Sequence, residues 1–108
     1  MDIAKFADNL GLEAEDFREL WELYMQTTSN DLKGLKAALA EGNADEIHKR
    51  AHSIKGASGN LGLDDLYNFA KEIDDQAQTG SLSGLEKSVQ SFDQKFEEMI
   101  LEYERGNK

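Results

Sequence analysis

Two histidines and no cysteine confine most of the side-chain chemistry of this chain to one stretch. Ala51-His52-Ser53-Ile54-Lys55-Gly56-Ala57-Ser58-Gly59-Asn60-Leu61-Gly62 places a lysine three residues after His52 and glycines four and seven after it. Wound at 3.6 residues per turn with His52 at zero, Lys55 falls at about −60°, Gly56 at about +40° and Gly59 at about −20°. An imidazole, an ammonium and bare backbone therefore share one face, while Ile54 and Leu61 turn to the opposite side. Interior glycines cost a helix roughly 1 kcal/mol each relative to alanine. Two of them beside an outward histidine imply that something must approach closely.

Near neutral pH an imidazole is largely uncharged, and its free nitrogen lone pair can accept a phosphoryl group. The product carries close to two negative charges. An ammonium one helical turn away offsets that by on the order of 1 kcal/mol at a solvated surface. Each residue alone has a plainer explanation: surface histidines are commonly idle, lysines solvate helices, and mid-helix glycines serve packing. Their coincidence on one face favours the nucleophile. Other chemistry lacks its parts. No Ser/His/Asp or Cys/His set can be assembled, and no phosphate-cradling glycine loop leads into Lys-Ser/Thr. Catalysis by this chain alone is not expected. His48 and His52 have the i, i+4 spacing used in zinc and bundle di-metal sites. The intervening Lys49-Arg50-Ala51 lacks a glutamate, however, and both rings phase outward, so no metal site is expected.

The elements that must position His52 are helical. The chain has 108 residues, no proline and a net charge of −10 from 22 acidic and 12 basic residues. One domain over residues 1–108 is expected, with no disulfide, signal peptide or membrane span. The acidic surface disfavours nucleic acid and anionic lipid as partners. Against it the cluster Lys49, Arg50 and Lys55 around His52 stands out.

Apolar spacing predicts helices over about 2–10, 13–41, 44–61, 64–78 and 83–105. The second is marked by Phe17, Leu20, Trp21, Tyr24, Met25, Thr28, Leu32, Leu35 and Leu39, with Gly34 a possible bend. The third turns Ile47, Ala51, Ile54, Ser58 and Leu61 inward. The fourth buries Leu66, Ala70, Ile73 and Ala77, and the fifth Leu85, Val89, Phe92, Phe96, Met99, Ile100 and Tyr103. Asn43 with Glu46, and Ser83 with Glu86, read as capping boxes. Residues 105–108 are expected to fray. Short connections make sequential helices antiparallel. The expected fold is all-α: an antiparallel up-down-up-down four-helix bundle with a short extra N-terminal helix as a lid.

The stretch from Ala51 to Gly62 resembles the signature of histidine-containing phosphotransfer (HPt) domains: Ala-His-x-aliphatic-Lys-Gly-small-small, then a hydrophobic residue and glycine. The layout around it resembles a small stand-alone bacterial member over nearly the whole chain. The resemblance implies a cytoplasmic phosphorelay intermediate of two-component signal transduction, not an enzyme. The histidine matching His52 would take a phosphoryl group from a receiver-domain phospho-aspartate, usually through Nε2, and pass it to another receiver aspartate. Lys55 would assist electrostatically and Gly56 would give clearance. Gly59, Lys49 and His48 would flank the docking surface, His48 without an essential role. Partners would be receiver domains of response regulators or hybrid sensor histidine kinases. Mg²⁺ would come with the receiver, and this chain would bind no cofactor and act as a monomer. Two alternatives remain: an interaction adaptor of the same fold that takes no phosphate, and the substrate domain of a chemotaxis-type kinase.

Overall fold

Five α-helices make up the computed structural model, which describes residues 1–106; Asn107 and Lys108 lie outside the described residues. They are α1 (Ile3–Asn9), α2 (Ala14–Glu41), α3 (Ala44–Asn60), α4 (Asp64–Gln78) and α5 (Leu85–Gly106). α2 runs unbroken through Gly34 and stops at Gly42, whose φ of 71° lets its N–H close back on the Ala38 and Leu39 carbonyls. The Asn43 side chain then accepts the Glu46 N–H at 3.1 Å and starts α3. The reciprocal half of that capping box is not made: the Asn43 N–H goes to the Ala38 carbonyl at 2.9 Å, and the Glu46 carboxylate accepts from Arg50 Nε at 2.9 Å. The box expected at Ser83 and Glu86 is replaced by a turn. Gly84 takes a φ of 79°, the Ser83 carbonyl accepts from Gln76 Nε2, and α5 begins at Leu85. At the other end α5 stays helical through Arg105 and Gly106, where fraying was expected.

Cross-helix contacts fix the directions. Tyr24 meets Ser58 while Asp31 meets Arg50, so α2 and α3 run antiparallel. Tyr67 lies over Gly59 while Asp74 meets His52, so α3 and α4 do too. Tyr103 donates to Glu22 and Lys36 pairs with Asp93, which returns α5 antiparallel to α2. α4 and α5 pack against each other as well, closing a four-helix bundle about its core. α1 lies across the end where α2 begins, with Phe6 stacked on Phe17 at 5.7 Å.

Phe17, Trp21, Ile47, Ile54, Leu66, Ile73, Leu85 and Phe92 fill the interior. Leu20 departs from its expected inward position and is 41% exposed, beside Leu23 at 58%. The buried stripe of α2 centres on Phe17, Trp21, Tyr24, Thr28 and Leu35, which leaves Leu20 on its edge. Met25, Leu39 and Ile100 are only partly buried. No helix among the described residues is long and apolar enough to cross a membrane.

Candidate functional site

α3 remains helical through Gly56 and Gly59 because its other face is clamped. Ile47, Ala51, Ile54 and Ser58 are buried between the neighbouring helices. Burial of Ile47 and Ile54 contributes about 2 kcal/mol each, which exceeds roughly 1 kcal/mol lost at each glycine. Ser58 is held from both sides. Its hydroxyl donates to the Ile54 carbonyl at 2.7 Å, and its oxygen accepts from the Tyr24 hydroxyl at 2.7 Å. That assignment follows because serine has only one proton to give. Burial pushes the Tyr24 phenol up to about 12.

On the opposite flank the polar face of α3 meets a single carboxylate from α4. Asp74 is fully buried, and three side chains of α3 converge on its two oxygens. His48 Nδ1 bonds Oδ1, His52 Nδ1 bonds Oδ2 at 3.2 Å, and Lys55 Nζ bonds the same Oδ2 at 3.1 Å. The two rings stand one turn apart, with centroids separated by 5.8 Å. Burial alone would push the Asp74 carboxyl up. Hydrogen bonds from Lys55, His52, His48 and Gln78 outweigh it and hold the carboxyl below the ordinary carboxylate range. Asp74 is therefore ionised at neutral pH.

An ionised carboxylate can only accept hydrogen bonds, so Nδ1 of each bound ring carries the hydrogen. In the uncharged ring the lone pair then belongs to Nε2, on the side away from the carboxylate. The His52 side chain is 65% exposed, so this nitrogen stands at the surface on a ring held from beneath. The site offers a nucleophilic nitrogen, a fixed tautomer and a buried counter-charge.

The other residues singled out from sequence divide. Gly56 leaves open space, since a Cβ there would have nothing within 4 Å. A Cβ on Gly59 would lie 3.3 Å from Tyr67 Cδ2, so this glycine also lets α4 approach α3. Lys55 is not held out toward solvent; it lies along Asp74 with its side chain 23% exposed. Lys49 is exposed on the same helix. Arg50 leaves the basic cluster altogether, reaching α2 to pair with Asp31 at 3.1 Å and with Glu46 on its own helix. Gly34 makes room for it: a Cβ there would come within 2.7 Å of Arg50 Cζ.

Asp74 was not foreseen. Its signal in the sequence is register: it stands four residues after Ala70 and three before Ala77, on a stripe otherwise apolar. Among the described residues, no group of three or more His, Cys, Asp or Glu side chains is arranged to hold a metal ion.

The family model for the Hpt domain matches residues 19–105. No curated protein matches the chain. Among solved structures, the crystal structure of histidine-containing phosphotransfer protein B (HptB) from Pseudomonas aeruginosa PAO1 is similar, with a TM-score of 0.82 and 25% sequence identity over 95% of this chain and 91% of that one. A bundle of this shape, matched by the family model over most of its length, establishes that the chain belongs to the Hpt domain family, the phosphocarriers of two-component signalling that work with receiver domains.

Proposed function

We propose that this chain is a phosphorelay intermediate whose phosphoryl-accepting atom is Nε2 of His52. The observation that carries the reading is the exposed His52 ring tied through Nδ1 to the buried, ionised Asp74. In the forward step the Nε2 lone pair attacks the phosphorus of a receiver phospho-aspartate. The N–P bond forms, the acyl-phosphate P–O bond breaks, and the receiver carboxylate departs with that electron pair. The ring leaves this step as an imidazolium with its Nδ1–H still on Asp74, so the charge created faces a carboxylate already in place. Reversal onto a second receiver aspartate regenerates the neutral ring. Lys55 contributes positive charge beside the same oxygen of Asp74. Mg²⁺ and the aspartate belong to the receiver in this scheme, and the chain works as a monomer in the cytoplasm.

The docking surface takes in the exposed flank of His52, the open notch at Gly56, the exposed Lys49, and the edge of α2. Leu20 and Leu23 occupy that edge, on the stripe that continues through Thr27 to Asp31 beside α3. They supply an apolar rim toward the Gly59 end of this surface, with basic Lys49 toward its other end, an arrangement suited to an acidic receiver site. Incubation with a labelled, phosphorylated receiver domain tests the reading. Wild type should gain an acid-labile, base-stable label that His52→Gln does not. Equal labelling of the variant, or none of wild type, rejects it.

A further inference from the structure

His48 is the one α3 member of the Asp74 cluster to which the proposed relay assigns no essential part. Its Nδ1 bonds Oδ1 of the carboxylate, the oxygen that His52 and Lys55 leave untouched. A carboxylate on a single Cβ–Cγ axis can rotate about χ2, and that torsion is broad. With partners from α3 on Oδ2 alone, α3 would hold the plane of the group from one side only. A donor on Oδ1 from the same helix, one turn upstream of His52, fixes the plane from the other side. Burial sharpens the requirement, because Asp74 is fully enclosed and each hydrogen bond its carboxylate loses there is costly.

We infer that His48 is a positioning residue for phosphoryl acceptance at His52, acting through Asp74. It holds the carboxylate so that Oδ2 meets the Nδ1–H of His52, which keeps the lone pair on Nε2. The inference rests on the reading of His52 as acceptor, but its first consequence, the tautomer of the His52 ring, does not. Free imidazole side chains in water favour hydrogen on Nε2, so loosening Asp74 should return His52 toward that form. His48 is 41% exposed in its side chain, so substitutions there leave the core intact. Asparagine is the informative replacement, because its side-chain N–H₂ can sit where Nδ1 sits. Glutamine, whose amide reaches to the Nε2 position, cannot reproduce the contact.

The test uses the full-length chain in mildly alkaline buffer. Ring ¹⁵N shifts report the His52 tautomer, and phosphoramidate serves as a small donor that needs no docking surface. Wild type should show His52 with hydrogen on Nδ1. His48→Ala and His48→Gln should move it toward the Nε2–H form and slow labelling of His52 about 3- to 10-fold, the equivalent of one hydrogen bond. His48→Asn should restore both to within about twofold. An unchanged tautomer and rate in His48→Ala overturns the inference, as does an Asn variant no better than the Ala variant. Should wild type take no label on His52, the acceptor reading fails, while the tautomer series still decides the role of His48.

Discussion

At the scale of single residues, Asp74 is the group on which the site depends. Asp74→Asn keeps the shape but removes the negative charge beneath the ring and leaves Lys55 without its ionic partner. Hydrogen bonds to charged groups contribute about 1.5–3 kcal/mol. Labelling of His52 by phosphoramidate should therefore fall about tenfold or more in this variant, measured as an initial rate. The same residue sets an acid limit on stability. Its carboxyl is held below the ordinary range in the folded chain, so its contribution is fully present above the unfolded carboxylate pKa of about 4 and is lost as pH falls through the folded value. Acid also relieves repulsion among 22 acidic residues, so only the difference between proteins isolates the effect. Urea denaturation should show wild type losing its advantage over Asp74→Asn below about pH 4. A constant gap from neutral to acid pH contradicts this. Sequence reading overlooked Asp74 because Asp74-Asp75 on an acidic helix resembles ordinary solvation, and what distinguishes the two is which α3 groups lie opposite. That information is tertiary.

Helices were far more legible than the links between them. Apolar stripes on α3, α4 and α5 came through because each buries one continuous face, as with Ile47, Ala51, Ile54 and Ser58. Leu20 failed the same test because periodicity ranks it with its neighbours, whereas the width of the stripe depends on how closely α3 packs beside α2. The α5 start was misplaced because Gly84 at φ 79° outweighs the capping preference of Ser83. Two substitutions separate the roles of elements. Gly56→Ala meets no atom within 4 Å, so thermal or urea unfolding should show a gain of up to about 1 kcal/mol. A bulkier Gly56→Leu should slow labelling by a receiver domain while leaving labelling by phosphoramidate near wild type. Equal slowing with both donors would place the defect in the ring instead of in clearance. Between α2 and α3, Tyr24→Phe deletes the donor to Ser58 and should cost about 1 kcal/mol. Because burial raises the phenol to about 12, its contribution is complete below pH 10 and lost as pH rises toward 12. The gap between wild type and Tyr24→Phe should therefore close in alkali.

Across the whole molecule, the acidic surface and the apolar edge of α2 favour a partner that docks locally over one that is drawn in by net charge. Leu23→Asp places a charge on a side chain already 58% exposed, so folding should be unaffected. Titration against a receiver domain should show binding weakened about tenfold, in line with loss of a well-packed apolar contact; unchanged affinity moves the interface elsewhere. Asp74 also has a consequence for energy transmission. It belongs to α4, whereas the ring it holds belongs to α3, so the grip of one helix on the other includes the charge state of that ring. Linkage makes the relation reciprocal. If the phosphorylated ring grips Asp74 more tightly, the bundle becomes harder to unfold, and the phosphoryl group becomes correspondingly harder to give away. Packing between α3 and α4 would thus set the transfer potential of the phosphoprotein, and substitutions far from His52 along that seam would shift the equilibrium between donor and acceptor receivers without touching either one.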